Sequence, residues 1–143
     1  MIIIIMIIII IIADVESVEG MKANLIEVIG SVTLLGEMNA AHKVGVSPII
    51  PEMDHLLCFV PGMLALGSIE LDRPEDLELA KELLSTCYML YADQEAGIGP
   101  EKVRFEKNPS SDTGKPSYHI LSGAYYLRPG SRPNLFEWSP AHG

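Results

Sequence analysis

The run Glu52-Met53-Asp54-His55-Leu56-Leu57-Cys58-Phe59-Val60-Pro61-Gly62-Met63-Leu64-Ala65-Leu66-Gly67 decides how the rest of the 143-residue chain is read. From Met53 to Leu66 it is almost wholly apolar, with Asp54 and His55 as its only acidic or basic side chains and Pro61-Gly62 in the middle. A stretch of that length without a polar face suits a buried helix, kinked or restarted where proline removes an N–H donor. Downstream, Asp72 stands as an N-cap with Glu75 three residues on and Pro74 in the first turn. Leu77, Ala80, Leu84, Cys87 and Tyr91 then line one helix face up to Gly97. Two consecutive helices make the fold class mainly α.

Working outward, Val15, Val18, Met21, Leu25 and Val28 recur at spacings of three and four with Glu16, Glu19 and Lys22 between them. They predict an amphipathic helix that ends at Gly30. Residues 31–37 are short and β-branched and read as a strand; residues 38–51 carry Asn39, Gly45, Pro48 and Pro51 and read as a loop. Beyond Ile98 the chain holds six of its ten prolines and five of its twelve glycines. That composition leaves room for two strand-like runs, Val103–Phe105 and Ala124–Leu127, and predicts a tail that folds poorly alone.

Nineteen acidic against ten basic side chains, a net charge of −9, argue against nucleic acid as a partner, because phosphate binding needs clustered cations. A basic membrane-surface peptide is excluded on the same ground. The mean hydropathy of +0.27 comes entirely from residues 1–12, ten Ile and two Met, and the rest of the chain is slightly hydrophilic. As a helix this head would span about 18 Å against a hydrocarbon core of about 30 Å. Asp14, Glu16 and Glu19 follow it at once, and no basic residue precedes Lys22. It is therefore expected neither to span a bilayer nor to act as a secretory signal, and any membrane association would run through a lost or degenerate anchor. A β-branched, low-complexity head is expected to add a strand or to aggregate. The two cysteines, Cys58 and Cys87, lie on apolar helix faces with no CxxC and no Cys/His cluster at zinc spacing. Two buried thiols and one disulfide both remain open from composition.

The Met53–Gly67 run also resembles a Met-Asp-His-Leu-x-Cys-Phe-x-Pro-Gly-x-x-Ala-Leu-Gly segment of the class I alpha-1,2-mannosidases, glycoside hydrolase family 47. The likeness continues in register. Leu34-Leu35-Gly36-Glu37 is similar to an upstream Gly-Glu segment, and Leu79-Ala80-Lys81-Glu82-Leu83 with Thr86-Cys87-Tyr88 to the following helix. Gly97-Ile98-Gly99-Pro100-Glu101-Lys102-Val103-Arg104-Phe105 resembles a Gly-Leu-x-Pro-Glu turn, and Leu127-Arg128-Pro129 a Leu-Arg-Pro-Glu motif. The resemblance implies part of an (α/α)7 barrel with short β segments, over residues 13–137, between the Ile-rich head 1–12 and a tail 138–143. It also implies a Cys58–Cys87 disulfide, residence in the endoplasmic reticulum or Golgi, and trimming of alpha-1,2-linked mannose from high-mannose N-glycans by calcium-dependent inverting hydrolysis.

Carried over residue by residue, the resemblance assigns substrate contact to Asp54, His55 and Arg128 and assigns no catalytic residue. The family's proposed base falls at Gly130, a further glutamate falls at Pro133, and the acid-side carboxylates and the calcium-binding threonine have no counterpart in the sequence. No metal ligand is therefore expected, and the chain is expected to be inactive by itself. A non-catalytic mannose-glycan-binding remnant and a helical interaction module are the alternatives. Each residue also has a plain structural role open to it: Asp54 as an N-cap, His55 as a hydrogen-bonded side chain at a helix start, Arg128 as a solvated tail residue. Asp112, Lys115 and the charges Glu101, Lys102, Arg104, Glu106 and Lys107 read as solvated loop and strand edges.

Overall fold

The computed structural model describes residues 15–39, 48–107 and 116–126. The Ile-rich head, Asp112, Lys115, Arg128, Gly130, Pro133 and the tail 138–143 lie outside the described residues.

The first helix, α1, covers residues 15–25 and stops short of Val28. Ile26, Val28 and Ile29 are β-branched and enter strand β1 (Ile26–Ile29), which pairs antiparallel with β2 (Val32–Leu35). Ile26 stands opposite Leu35 and Ile29 opposite Val32, so Gly30 and Ser31 form a two-residue turn. Gly30 takes the left-handed conformation that such a turn requires, φ +60°. It therefore closes a hairpin and does not end a helix. β2, the strand expected within 31–37, is buried along its whole length.

The decisive run is not one helix. Glu52–Asp54 forms β3, His55–Phe59 a 3₁₀ turn, and Val60–Glu70 the helix α2. Met53 pairs with Val103, which holds the run's beginning in a sheet. Asp54 is extended (φ −87°, ψ 144°), and its carboxylate accepts the Leu56 N–H at 3.0 Å, capping the 3₁₀ turn. Pro61 falls in the first turn of α2, where a missing N–H leaves no intrahelical bond unmade, so it starts the helix and does not kink it.

Helix α3 runs Pro74–Ala92 with Arg73, not Asp72, at its N-cap. Asp72 sits at φ +53° in the turn between the two helices, a conformation an Asp tolerates better than most side chains. Glu75 and Asp76 occupy the first turn of α3, favourably placed for its dipole. The helix ends five residues before the expected Gly97, whose φ of +62° belongs to the turn that follows.

The chain after Ile98 does contribute to the core. β4 (Lys102–Phe105), as expected, pairs antiparallel with β3 on one side and with β5 (Tyr118–Ser122) on the other. β5 lies upstream of the strand expected at Ala124–Leu127; residues 124–126 are not in a strand, and Leu127 is outside the described residues. Val103 and Phe105 alternate inward from β4 and are among the most deeply buried side chains. They pack with Ile29, Leu34, Met53 and Leu90 around the Cys58–Cys87 disulfide, which joins the 3₁₀ turn to α3 with a Cα–Cα distance of 5.9 Å. A second cluster, Leu35, Leu64, Ala80 and Leu83, seats α1 on the α2–α3 pair. The described residues are thus mainly helical with short strands, and none of their helices is long and apolar enough to cross a membrane.

Candidate functional site

Three segments meet where β3 ends: the 3₁₀ turn, the C-terminal half of α3, and the loop 97–101. His55 opens the turn and is buried; its backbone N–H donates to the Glu101 carbonyl at 2.8 Å, tying the turn to that loop. The His55 Nε2 shares a hydrogen bond with the Tyr91 hydroxyl, and the two rings are tilted with centroids 5.5 Å apart. On its other side Tyr91 is crowded by Gly99. A Cβ at that glycine would stand 2.8 Å from the Tyr91 ring, so only a residue without a side chain lets the loop pass there. The disulfide, three residues beyond His55, pins the turn against the same helix.

Of the three residues expected to touch substrate, Asp54 and His55 are adjacent in this junction, and Arg128 lies outside the described residues. Asp54 carries out the capping role open to it, and His55 the hydrogen-bonded one. Tyr91 and Gly99 belong to the same junction and were not singled out by the sequence. Tyr91 read as part of a core face and Gly99 as one position in a turn motif; only their proximity to His55 gives them a place here.

β4 is the central strand of its sheet and its charged residues are paired: Lys102 is partly buried, whereas Arg104 stays solvent-exposed as expected. Glu52, buried on β3, accepts from Lys102 at 2.8 Å and pairs with Arg104. Lys102 also bridges Glu37 at 2.7 Å, and Lys107 pairs with Glu27 at 2.8 Å. Antiparallel register puts Glu52 opposite Arg104 and so makes this arrangement possible. Hydrogen bonds from Lys102 and then Arg104 hold the Glu52 carboxyl below its ordinary range, and Lys102 in turn is raised by Glu37 and Glu52. Asp76, also buried, accepts from Lys22 at 2.5 Å and from Arg73 at 2.7 Å. Burial acts to raise the Asp76 carboxyl, but the hydrogen bonds from Arg73 and Lys22 outweigh it, and the net shift is downward.

These directions bear on chemistry. Inverting glycoside hydrolysis needs one carboxyl kept protonated near neutrality and a second carboxylate able to activate water. Glu52 and Asp76 are both driven towards the ionised form, and each is already engaged by two cations. Neither suits proton donation. Among the described residues no group of three or more His, Cys, Asp or Glu is arranged to hold a metal ion.

The chain has relatives. The model of glycosyl hydrolase family 47 matches residues 15–136, and the chain belongs to that family. More particularly, it is 34% identical over 124 residues to the endoplasmic reticulum mannosyl-oligosaccharide 1,2-alpha-mannosidase of Homo sapiens, an alignment covering 85% of this chain and 17% of that protein. It is 32% identical over 138 residues to the protein of the same description from Saccharomyces cerevisiae, covering 84% of this chain and 24% of the relative. Among solved structures it is similar to an alpha-1,2-mannosidase from Trichoderma reesei, with a TM-score of 0.63 at 21% identity over 80% of this chain and 25% of that one. This last likeness supports the fold. The chain spans less than a quarter of the length of either curated relative.

Proposed function

We propose that this chain forms part of the wall of a mannose-binding cleft of the alpha-1,2-mannosidase type, and that by itself it recognises alpha-1,2-linked mannose without hydrolysing it. The observation that carries this reading is the junction at His55, where the segment most like the family's own is fixed by the disulfide, Tyr91 and the Gly99 loop. Asp54 and His55, with Arg128, are the substrate contacts of the proposal. The half-buried Asp54 carboxylate and the partly exposed Tyr91 ring, with the buried His55 imidazole bonded to Tyr91 behind them, offer the mixture of hydrogen-bonding and apolar surface that a sugar ring requires. Hydrolysis is not part of the reading, because the resemblance puts Gly130 at the position of the family's proposed base, and Glu52 and Asp76, the buried carboxylates among the described residues, are each held below their ordinary range by two cations.

On the same reading the relatives' names point to a mannosyl-oligosaccharide, here proposed to be a high-mannose N-glycan, as the partner and to the secretory pathway, with the endoplasmic reticulum the compartment named. The Cys58–Cys87 disulfide suits that oxidising compartment. Residues 13–137 are proposed as a sector of an (α/α)7 barrel, with 1–12 and 138–143 outside it. Calcium enters only as the family's expected cofactor, and no step is derived through it.

Titrating the protein with alpha-1,2-mannobiose while recording backbone amide shifts tests the proposal. The expected result is weak, saturable change at Asp54, His55 and Gly99, reduced in Asp54→Asn, which keeps the cap but removes the charge. No change at these amides at millimolar disaccharide would overturn it. A second reading, an interaction module, is favoured by one observation: Leu56, Phe59, Met63, Leu66 and Ile69 form an exposed apolar stripe along the 3₁₀ turn and α2. Association without any effect of sugar would support that reading instead.

A further inference from the structure

Helix α2 is apolar on both of its faces. Pro61, Leu64 and Ser68 are buried, on the face turned to the body. With about 3.6 residues per turn, Met63 and Leu66 fall on the opposite side, and they are 53% and 63% exposed. Phe59 and Ile69 extend that exposed face along α2, and Leu56 continues it into the 3₁₀ turn. A helix that is apolar all round belongs in an interior, and this one is covered on one side only. Together the five exposed residues present about 550 Å² to solvent, near the upper end of what the largest apolar patch on a monomer reaches.

The patch is complementary to a copy of itself. Residues 44–72 contain no Lys or Arg, and Glu52, Asp54, Glu70 and Asp72 stand towards the two ends of the stripe. The surface therefore has no cation to meet a lipid headgroup and no charge along its length to select a different protein. A two-fold axis brings the same patch from both copies together. Two such faces in contact remove about 1,100 Å² from water, above the roughly 1,000 Å² that a specific interface needs. Gly62 and Gly67 flank the seam, and a Cβ at Gly67 would meet nothing within 4 Å, so no side chain there holds a second helix away. Parallel helices would set the two Glu70 carboxylates side by side, whereas antiparallel ones keep them at opposite ends and bring Met63 close to the axis. We infer that two copies of this chain associate through α2, antiparallel about a two-fold axis, burying Phe59, Met63 and Leu66. This inference does not depend on mannose binding.

Sedimentation velocity on the full chain, over about a hundredfold range of protein concentration, tests it. The expected result is a monomer–dimer equilibrium without larger species. It should tighten as salt rises from about 50 to about 500 mM, because two chains of charge −9 repel each other less when screened. Met63→Glu/Leu66→Glu, at two exposed positions and with a good helix former, should weaken it about tenfold or more. Circular dichroism and the intact disulfide report whether that variant folds, and its amide shifts with mannobiose test the mannose reading separately. A monomer at every concentration, or association unchanged by the substitutions, overturns the inference. Binding to phosphatidylcholine vesicles in place of dimerisation assigns the stripe to a lipid surface and also overturns it. Should the variant not fold, peroxide oxidation of the unaltered chain decides. Met63 should oxidise about tenfold more slowly at the highest concentration than at the lowest while Met89 does not change, and a Met63 rate independent of concentration overturns the inference.

Discussion

Reducing the Cys58–Cys87 bond removes the covalent link between the 3₁₀ turn and α3, and the size of the effect follows from the chain between them. The two cysteines are 29 residues apart, and closing a loop of that length stabilises the folded state by about 3.5 kcal/mol in the chain-entropy model. Cys58 is 3% exposed and Cys87 is fully buried, so the reduced thiols keep most of their packing and the loss is chiefly that of the constraint on the unfolded chain. A loss of that size is a large share of the roughly 5–15 kcal/mol that holds a typical domain together. Using an unfolding entropy of about 2.1 cal/mol/K per residue over the 143 residues of the chain, it corresponds to a fall in Tm of about 12 °C. The assay is thermal unfolding by circular dichroism with and without a phosphine reductant, alongside Cys58→Ala/Cys87→Ala, with thiol titration to confirm each redox state. A shift below about 4 °C would refute the reasoning, because it would mean that other contacts already hold the turn on α3 in the unfolded ensemble.

Other predictions concern the charged strand and the junction. Glu52→Gln should destabilise the protein by about 1.5–3 kcal/mol at neutral pH, near the lower end because Lys102 retains Glu37. The folded carboxyl is depressed, so the stability it contributes is present above its unfolded value and is lost as pH falls through the lower folded value. Denaturant melts should therefore show the gap between the two proteins closing below about pH 4.5. Gly99→Ala should push Tyr91 off His55, destabilising by about 1–3 kcal/mol and weakening mannobiose binding; unchanged amide shifts at His55 would count against the geometry. Tyr91→Phe, which keeps the ring, should cost about 1 kcal/mol and preserve the fold, as read by chemical denaturation. Gly36→Ala should be among the more damaging small substitutions, because its Cβ would fall on the Ile49 side chain and 2.7 Å from the Ile50 carbonyl oxygen.

The sequence located helices where periodicity was strong, and the boundaries went astray where a β-branched residue or a proline had two uses. Val28 extends the helical stripe of Val15 and Val18, yet β-branching and the Gly30 turn give it to a hairpin, a pairing that depends on partners at Val32–Leu35. Pro61 inside an apolar run signals a kink, but Asp54 and the pairing of Met53 with Val103 end the preceding segment first, so the proline begins a helix. In the same way Glu52 and Lys102 look like ordinary surface charges in one dimension and become a partly buried ion pair only when antiparallel register sets β3 beside β4. The junction was legible in part. Asp54 and His55 stand out because they interrupt an apolar run, whereas Tyr91 is 36 residues from His55 and carries no local signal of their contact. The disulfide was implied by family likeness and not by spacing, since two cysteines on apolar faces fit buried thiols equally well.

Recognition in the absence of proton-transferring carboxylates is tested most directly by incubating the purified chain with alpha-1,2-mannobiose and calcium and following mannose release over days. The account predicts intact disaccharide at every time point, while amides at Asp54 and His55 respond to it. Steady release of mannose that stops on adding a chelator would contradict it, and would place a working acid and base within this chain.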